Sequence, residues 1–152
     1  MIELASSTTP PANFGALMNF DDGDEDDPAL DRLDGRRVLL LEDEVFIAVE
    51  VRRALEAAGA EVVYARTLPK ALKALEAAPV EAAILDVTLG HDHNCKPVAM
   101  RLREAGVPYI LHSGDLDRQG EVLAELDAPV IPKPAAAETV VLTLARILAA
   151  AD

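Results

Sequence analysis

From Arg36 onward, short apolar runs alternate with stretches in which apolar residues recur every three or four positions. Val38-Leu39-Leu40-Leu41 is a continuous apolar run, the pattern of a strand buried on both faces. A helix follows with Ile47, Val51, Leu55 and Ala58 on one face, stopped at Gly59. Glu61–Ala65 reads as a second strand, and Thr67 caps a helix bearing Leu68, Ala71, Leu72 and Leu75. Ala82-Ala83-Ile84-Leu85 is a third strand ending at Asp86, followed by a polar loop and a helix from Pro97 with Val98, Leu102 and Ala105 inward. Tyr109–His112 is a fourth strand, and Asp117–Glu125 a weak helix interrupted by Gly120. Pro129-Val130-Ile131 is a short fifth strand, and a last helix runs from Ala135 to Ala149 with Val141, Leu144, Ala145 and Leu148 on one face. Five strand–helix pairs in strict alternation predict an α/β fold, a doubly wound parallel sheet with five helices on its two faces.

The stretch before this alternation is different. Residues 1–36 hold nine acidic and two basic side chains and show no periodicity. Such a segment gains too little from burial to offset its ordering entropy, so residues 1–35 are expected to form an acidic, disordered tail and residues 36–152 the folded domain. Phe14, Leu17, Met18 and Phe20 are the exception, a short apolar anchor for this domain or for a partner. Val140 and Ile147 on the last helix offer a surface for a weak dimer; otherwise the chain is read as a monomer.

Composition narrows the functional classes. The formal net charge of −13 repels phosphate backbones and argues against nucleic-acid binding. Apolar residues make up 51% and aromatics 3%, so the core is built from Ala, Val, Leu and Ile. The single cysteine, Cys95, fits a reducing compartment. No apolar run is long enough to span a bilayer and the N-terminus lacks a basic cluster, so a cytoplasmic protein without membrane contact is expected.

In an open parallel sheet, ligands bind beyond the carboxyl ends of the strands. Those ends carry Glu42-Asp43-Glu44, Asp86, Ser113-Gly114 and Lys133-Pro134. Two carboxylates about 5 Å apart repel by about 3 kcal/mol at an effective dielectric near 20. Lys133 offsets part of this, and a divalent cation the rest. All-oxygen ligands on a rigid rim suit Mg²⁺, which favours one or two carboxylates plus a phosphate oxygen. Asp86 is then a candidate nucleophile that forms an aspartyl phosphate, with the Ser113 hydroxyl and the Lys133 ammonium available to the phosphoryl oxygens. His91, Asp92, His93 and Cys95 look metal-like, but alternate spacing on one loop is not a zinc pattern.

Leu40-Leu41-Glu42-Asp43-Glu44, Ala83-Ile84-Leu85-Asp86-Val87, Leu111-His112-Ser113-Gly114 and Ile131-Pro132-Lys133-Pro134 together resemble the signature of response-regulator receiver domains, over residues 36–150. The resemblance implies a flavodoxin-like sheet of order 2-1-3-4-5. It also implies phosphorylation of Asp86 by a sensor histidine kinase, with Mg²⁺ held by Glu42, Asp43, Asp86 and the backbone carbonyl of Thr88. Ser113 becomes the switch hydroxyl, Lys133 the phosphate-pairing lysine, and Lys133-Pro134 a cis bond. Signalling or relay then runs through protein contacts, including a histidine phosphotransfer protein, with no attached output domain and no turnover enzyme activity. One departure is Val130, which stands where receivers commonly carry a Tyr or Phe as the rotating half of the switch.

Three rivals share parts of this pattern. A haloacid-dehalogenase-type phosphatase also uses an aspartyl phosphate, but it wants a second acid where Thr88 stands. A flavin-binding domain on the same fold would set its phosphate against Glu42-Asp43-Glu44. A degenerate receiver that binds partners without phosphate would not need the full set of side chains present here.

Overall fold

The computed structural model describes residues 27–90, 92–114 and 119–151. The main sheet has five parallel strands: β1 (Arg37–Leu41), β2 (Glu61–Ala65), β3 (Ala82–Asp86), β4 (Tyr109–Ser113) and β5 (Val130–Pro132). Their spatial order is β2-β1-β3-β4-β5. Five α-helices connect them among the described residues: α1 (Val45–Ala57), α2 (Leu68–Ala77), α3 (Lys96–Glu104), α4 (Gly120–Leu126) and α5 (Ala137–Ala151). This is the flavodoxin-like α/β architecture and strand order that the sequence implied.

Alternation along each strand divides the core in two. Leu39, Leu41, Ala83, Leu85 and Leu111 face α2, α3 and α4, together with Ala71, Val98, Leu102 and Leu126. Val38, Leu40, Ile84, Ile110 and Ile131 face α1 and α5, together with Val51, Leu55, Val140, Leu144 and Leu148. Both faces are covered, which is why β1, β3 and β4 read as unbroken apolar runs. Each fully buried Leu or Ile contributes roughly 1.5–3 kcal/mol of transfer free energy.

The folded body begins ahead of the boundary expected at residue 36. Pro28–Leu33 forms a 3₁₀ turn that packs on α5 and buries Leu33 completely. The Asp27 carboxylate caps this turn by accepting from the Ala29 N–H at 2.8 Å, and also pairs with Arg146 of α5 at 2.6 Å. At the other end, Gly35 N–H donates to the Gly59 carbonyl at 2.8 Å. Gly59 has φ +91°, and a Cβ there would stand 2.2 Å from Asp34 Oδ1, so glycine is required where this segment crosses the end of α1. The apolar residues Phe14, Leu17, Met18 and Phe20 lie outside the described residues.

Other expectations also change. Ala105 is exposed, because α3 ends at Glu104 and Ala99 takes the inward place. Gly120 does not interrupt a helix; it opens α4. Val140 is fully buried against the sheet and is not available to a dimer face. The loop after β3 is not simply polar: Thr88–Leu89 pairs antiparallel with His93–Asn94, and Val87, Leu89 and Cys95 are buried.

Candidate functional site

Strand register lines up the carboxyl ends. Leu40 pairs with Ile84 and Leu41 with Leu85, which sets Glu42 beside Asp86; Asp86 in turn pairs with His112. The Lys133 N–H donates to the Ser113 carbonyl at 2.9 Å, fixing the start of the β5–α5 loop, and the Lys133-Pro134 peptide is cis as expected.

The three acids meet. Carboxylate oxygens of Glu42, Asp43 and Asp86 all lie within 4.8 Å of one another. Asp86 is 4% exposed and Glu42 1%, whereas Asp43 is half-buried. The Lys133 ammonium lies 3.4 Å from Asp86 Oδ2, and donates to Glu42 Oε2 at 3.1 Å and Glu44 Oε2 at 2.8 Å. Lys133 thus serves three of the four carboxylates described at this rim. Ser113 is buried at the end of β4. Thr88 follows Asp86 by two residues, and its hydroxyl accepts from the Gln119 amide at 2.6 Å.

The loops around the acids are braced. Tyr64 O–H donates to the Glu42 carbonyl at 2.9 Å and Arg66 Nε to the Asp43 carbonyl at 3.3 Å, both from the β2 side. Glu44 N–H donates to Glu42 Oε2 at 3.1 Å, and Gly90 N–H donates to Asp43 Oδ2 at 3.2 Å, tying the loop after β3 to the loop after β1.

Crowding of charge sets the protonation states. Burial pushes the Asp86 carboxyl up to about 9, and the Glu42 charge and hydrogen bonds with Asp43 and Glu42 push the same way against Lys133. Burial disfavours the Lys133 ammonium, but Glu44, Asp86 and Glu42 more than offset it and hold its pKa above the ordinary lysine range. His112 is lowered to about 4, by burial and then by Lys133, so its imidazole is neutral. Burial raises the Cys95 thiol to about 12, which makes it inert at neutral pH.

The donor set fits Mg²⁺: hard oxygen ligands only, two buried acids and one half-buried acid, and an excess of negative charge that a single lysine leaves partly uncompensated. Among the described residues, Asp92, His93 and Cys95 do not form a second site. Asp92 and His93 are exposed, Cys95 is buried, and His91 lies outside the described residues. Among the described residues, Glu42, Asp43 and Asp86 are the only group of acids, histidines and cysteines gathered closely enough to hold a metal.

Sequence reasoning brought Glu42, Asp43, Asp86, Ser113 and Lys133 to one rim correctly. It missed Glu44 as a partner of Lys133, although Glu44 stands in the same acidic triplet. It also missed the bracing by Tyr64 and Gln119, which no local motif signals. Val130 is buried in the core, so no aromatic swings at that position. On the surface, Val45, Phe46 and Val49 at the start of α1 are exposed large apolar side chains beside the acidic rim, Phe46 at 88%.

No family profile matches the sequence, and no curated protein matches it significantly. Solved structures do. The chain superposes on a receiver-domain protein from Sinorhizobium medicae with a TM-score of 0.69 at 21% identity, covering 79% of this chain and 99% of that one. A CheY-like receiver protein from Methanospirillum hungatei gives 0.68 at 22%, covering 76% and 95%. The response regulator PhyR from Brucella abortus gives 0.68 at 24%, covering 81% and 51%, so this chain spans about half the length of PhyR. The fold is therefore that of response-regulator receiver domains. The acidic, Mg²⁺-compatible cluster lies at the carboxyl rim of that fold's sheet. Among the described residues, no helix is long and apolar enough to cross a membrane.

Proposed function

We propose that this chain is a phosphoacceptor switch that takes a phosphoryl group from a phosphohistidine of a sensor histidine kinase onto Asp86. The observation that carries this reading is the gathering of three carboxylates within 4.8 Å with one ammonium 3.4 Å from Asp86. Glu42, Asp43, Asp86 and the Thr88 carbonyl would hold Mg²⁺. When bound, the ion neutralises the acids and the incoming phosphoryl charge.

The chain's own residues do the rest. An Asp86 Oδ attacks phosphorus; the O–P bond forms as the donor's N–P bond breaks, and the imidazole leaves with its electron pair. Lys133, already beside Asp86, moves its ammonium to the phosphoryl oxygens as a point charge. Ser113 supplies its hydroxyl to the same oxygens. Phe46 and its neighbours on α1 provide an apolar surface at the rim on which the donor protein docks. Output runs through protein contacts, by relay to a histidine phosphotransfer protein or by binding a regulated partner. One PhyR neighbour, from Bartonella quintana, is described as an anti-anti-sigma factor.

Labelling with acetyl phosphate and Mg²⁺ tests the assignment. Wild type acquires an acid-stable, hydroxylamine-labile phosphoryl group, and Asp86→Asn acquires none while keeping its circular dichroism. Undiminished labelling of the variant removes Asp86 as acceptor.

A further inference from the structure

Among the described residues, His112 is a buried ionisable side chain at the rim that the phosphoacceptor chemistry leaves without a task. It is 2% exposed, and neither ring nitrogen has a hydrogen-bond partner among the described residues. Such a group is costly, because it gives up water and gains nothing in exchange. Its surroundings are the apolar layer of the α1 and α5 face, where its strand neighbours Ile110 and Ile131 are buried and where an aliphatic side chain would suit the packing. One polar atom stands just out of reach. Glu42 Oε1 lies 3.9 Å from His112 Nδ1, although β3 runs between their strands. The other Glu42 oxygen, Oε2, is held by the Lys133 ammonium and the Glu44 N–H.

We propose that His112 is a positioning residue for Glu42, whose imidazole donates Nδ1–H to Glu42 Oε1 when the Lys133 ammonium turns from Glu42 to the phosphoryl group on Asp86. The inference rests on the phosphoacceptor reading of the pocket. In the ion-free pocket, Lys133 anchors Glu42. A phosphoryl group on Asp86 draws that ammonium away and leaves a buried carboxylate short of a donor. The approach needed is about one ångström, within the reach of a side-chain adjustment. A ligand acid held by a neighbouring N–H keeps its orientation, and removal of such a neighbour typically weakens metal affinity by about 10–100-fold.

The test uses the full chain labelled with ¹⁵N, titrated with MgCl₂ and then beryllofluoride as the phosphoryl mimic. The His112 ring is assigned against His91 and His93 with His112→Asn and His112→Leu. The expected result is an Nδ1-protonated His112 whose proton moves downfield and exchanges more slowly once both ligands are bound. Calorimetry should show His112→Leu binding Mg²⁺ with beryllofluoride about tenfold more weakly. His112→Asn, which keeps a side-chain N–H near the same place, restores most of that loss. The ion-free melting temperature of His112→Leu should equal or exceed wild type, because two unpaired nitrogens are gone. An Nε2-protonated ring indifferent to both ligands overturns the proposal, as does wild-type affinity in His112→Leu. If that variant does not fold, the wild-type ring spectrum alone decides. Wild-type protein that binds neither ligand sinks the phosphoacceptor reading itself, an outcome distinct from unchanged binding in the variants.

Discussion

Mg²⁺ should compete with a proton for this pocket. Asp86 is 4% exposed and faces Glu42 and Asp43, with one shared ammonium 3.4 Å away. Its carboxyl is raised to about 9, so the ion-free pocket carries a proton on Asp86 at neutral pH. A divalent ion needs the carboxylate, and must displace that proton. Between about pH 6 and pH 8 the ionised fraction of Asp86 rises about tenfold per unit. The apparent dissociation constant for Mg²⁺ should fall by the same factor, about 1.4 kcal/mol per unit and about a hundredfold across the range. Calorimetric titrations in two buffers of different ionisation enthalpy measure both quantities, and should return about one proton released per ion near pH 7. Asp86→Asn has no proton to lose there, and its residual affinity should be flat over the same range. The sign for stability is opposite. A folded-state pKa above the ordinary carboxyl value of 3.8 means the proton favours the native state. This contribution is complete below about pH 4 and is lost as pH rises through about 9, so urea midpoints without Mg²⁺ should decline across that window in wild type more than in Asp86→Asn. Affinity independent of pH with no proton released would refute the picture of a crowded, desolvated acid.

Three further outcomes follow from particular contacts. Asp43→Asn should raise the unfolding free energy without Mg²⁺, read from urea melts, by up to about 1–3 kcal/mol of relieved repulsion, and lower it relative to wild type when Mg²⁺ is saturating. Asp27→Ala removes both a cap and an ion pair with Arg146 and should cost about 1–2 kcal/mol in thermal or urea unfolding. Arg146 first, and then the Ala29 N–H, hold the Asp27 carboxyl below the usual range, so this stability is present above about pH 4 and disappears as pH falls through the lowered value. Phe46→Ala should slow phosphotransfer from a phosphohistidine donor while leaving the acetyl phosphate rate unchanged, because the small donor needs no docking surface; equal slowing with both donors would place the residue elsewhere in the mechanism.

The sheet and its acidic rim were legible because strand burial and strand ends both leave local marks. Leu39 and Leu41 face one core and Val38 and Leu40 the other, so the whole run is apolar, and the polar residues that break it are those at the rim. What was not legible depends on contacts between distant segments. Ala29, Leu30 and Leu33 sit in an acidic stretch too short to show a period, and only α5 reveals that they are buried or half-buried. Val140 looked like surface because α5 is apolar over most of its circumference, yet the sheet covers one side and the Pro28–Leu33 segment packs against it as well. His112 sits within an ordinary strand pattern, and its distance to Glu42 exists only once β1, β3 and β4 are side by side.

The course of Pro28–Leu33 across α5 bears on how the acidic N-terminus is to be removed experimentally. A chain trimmed at residue 36, where composition changes, removes Leu30 from beside Leu142 and deletes Leu33 from the interior. It also unloads the helix that follows Lys133, so a shortened protein with altered phosphorylation would report damage to that helix and not a role of the charged residues. Trimming that stops before Asp27 keeps the two effects apart.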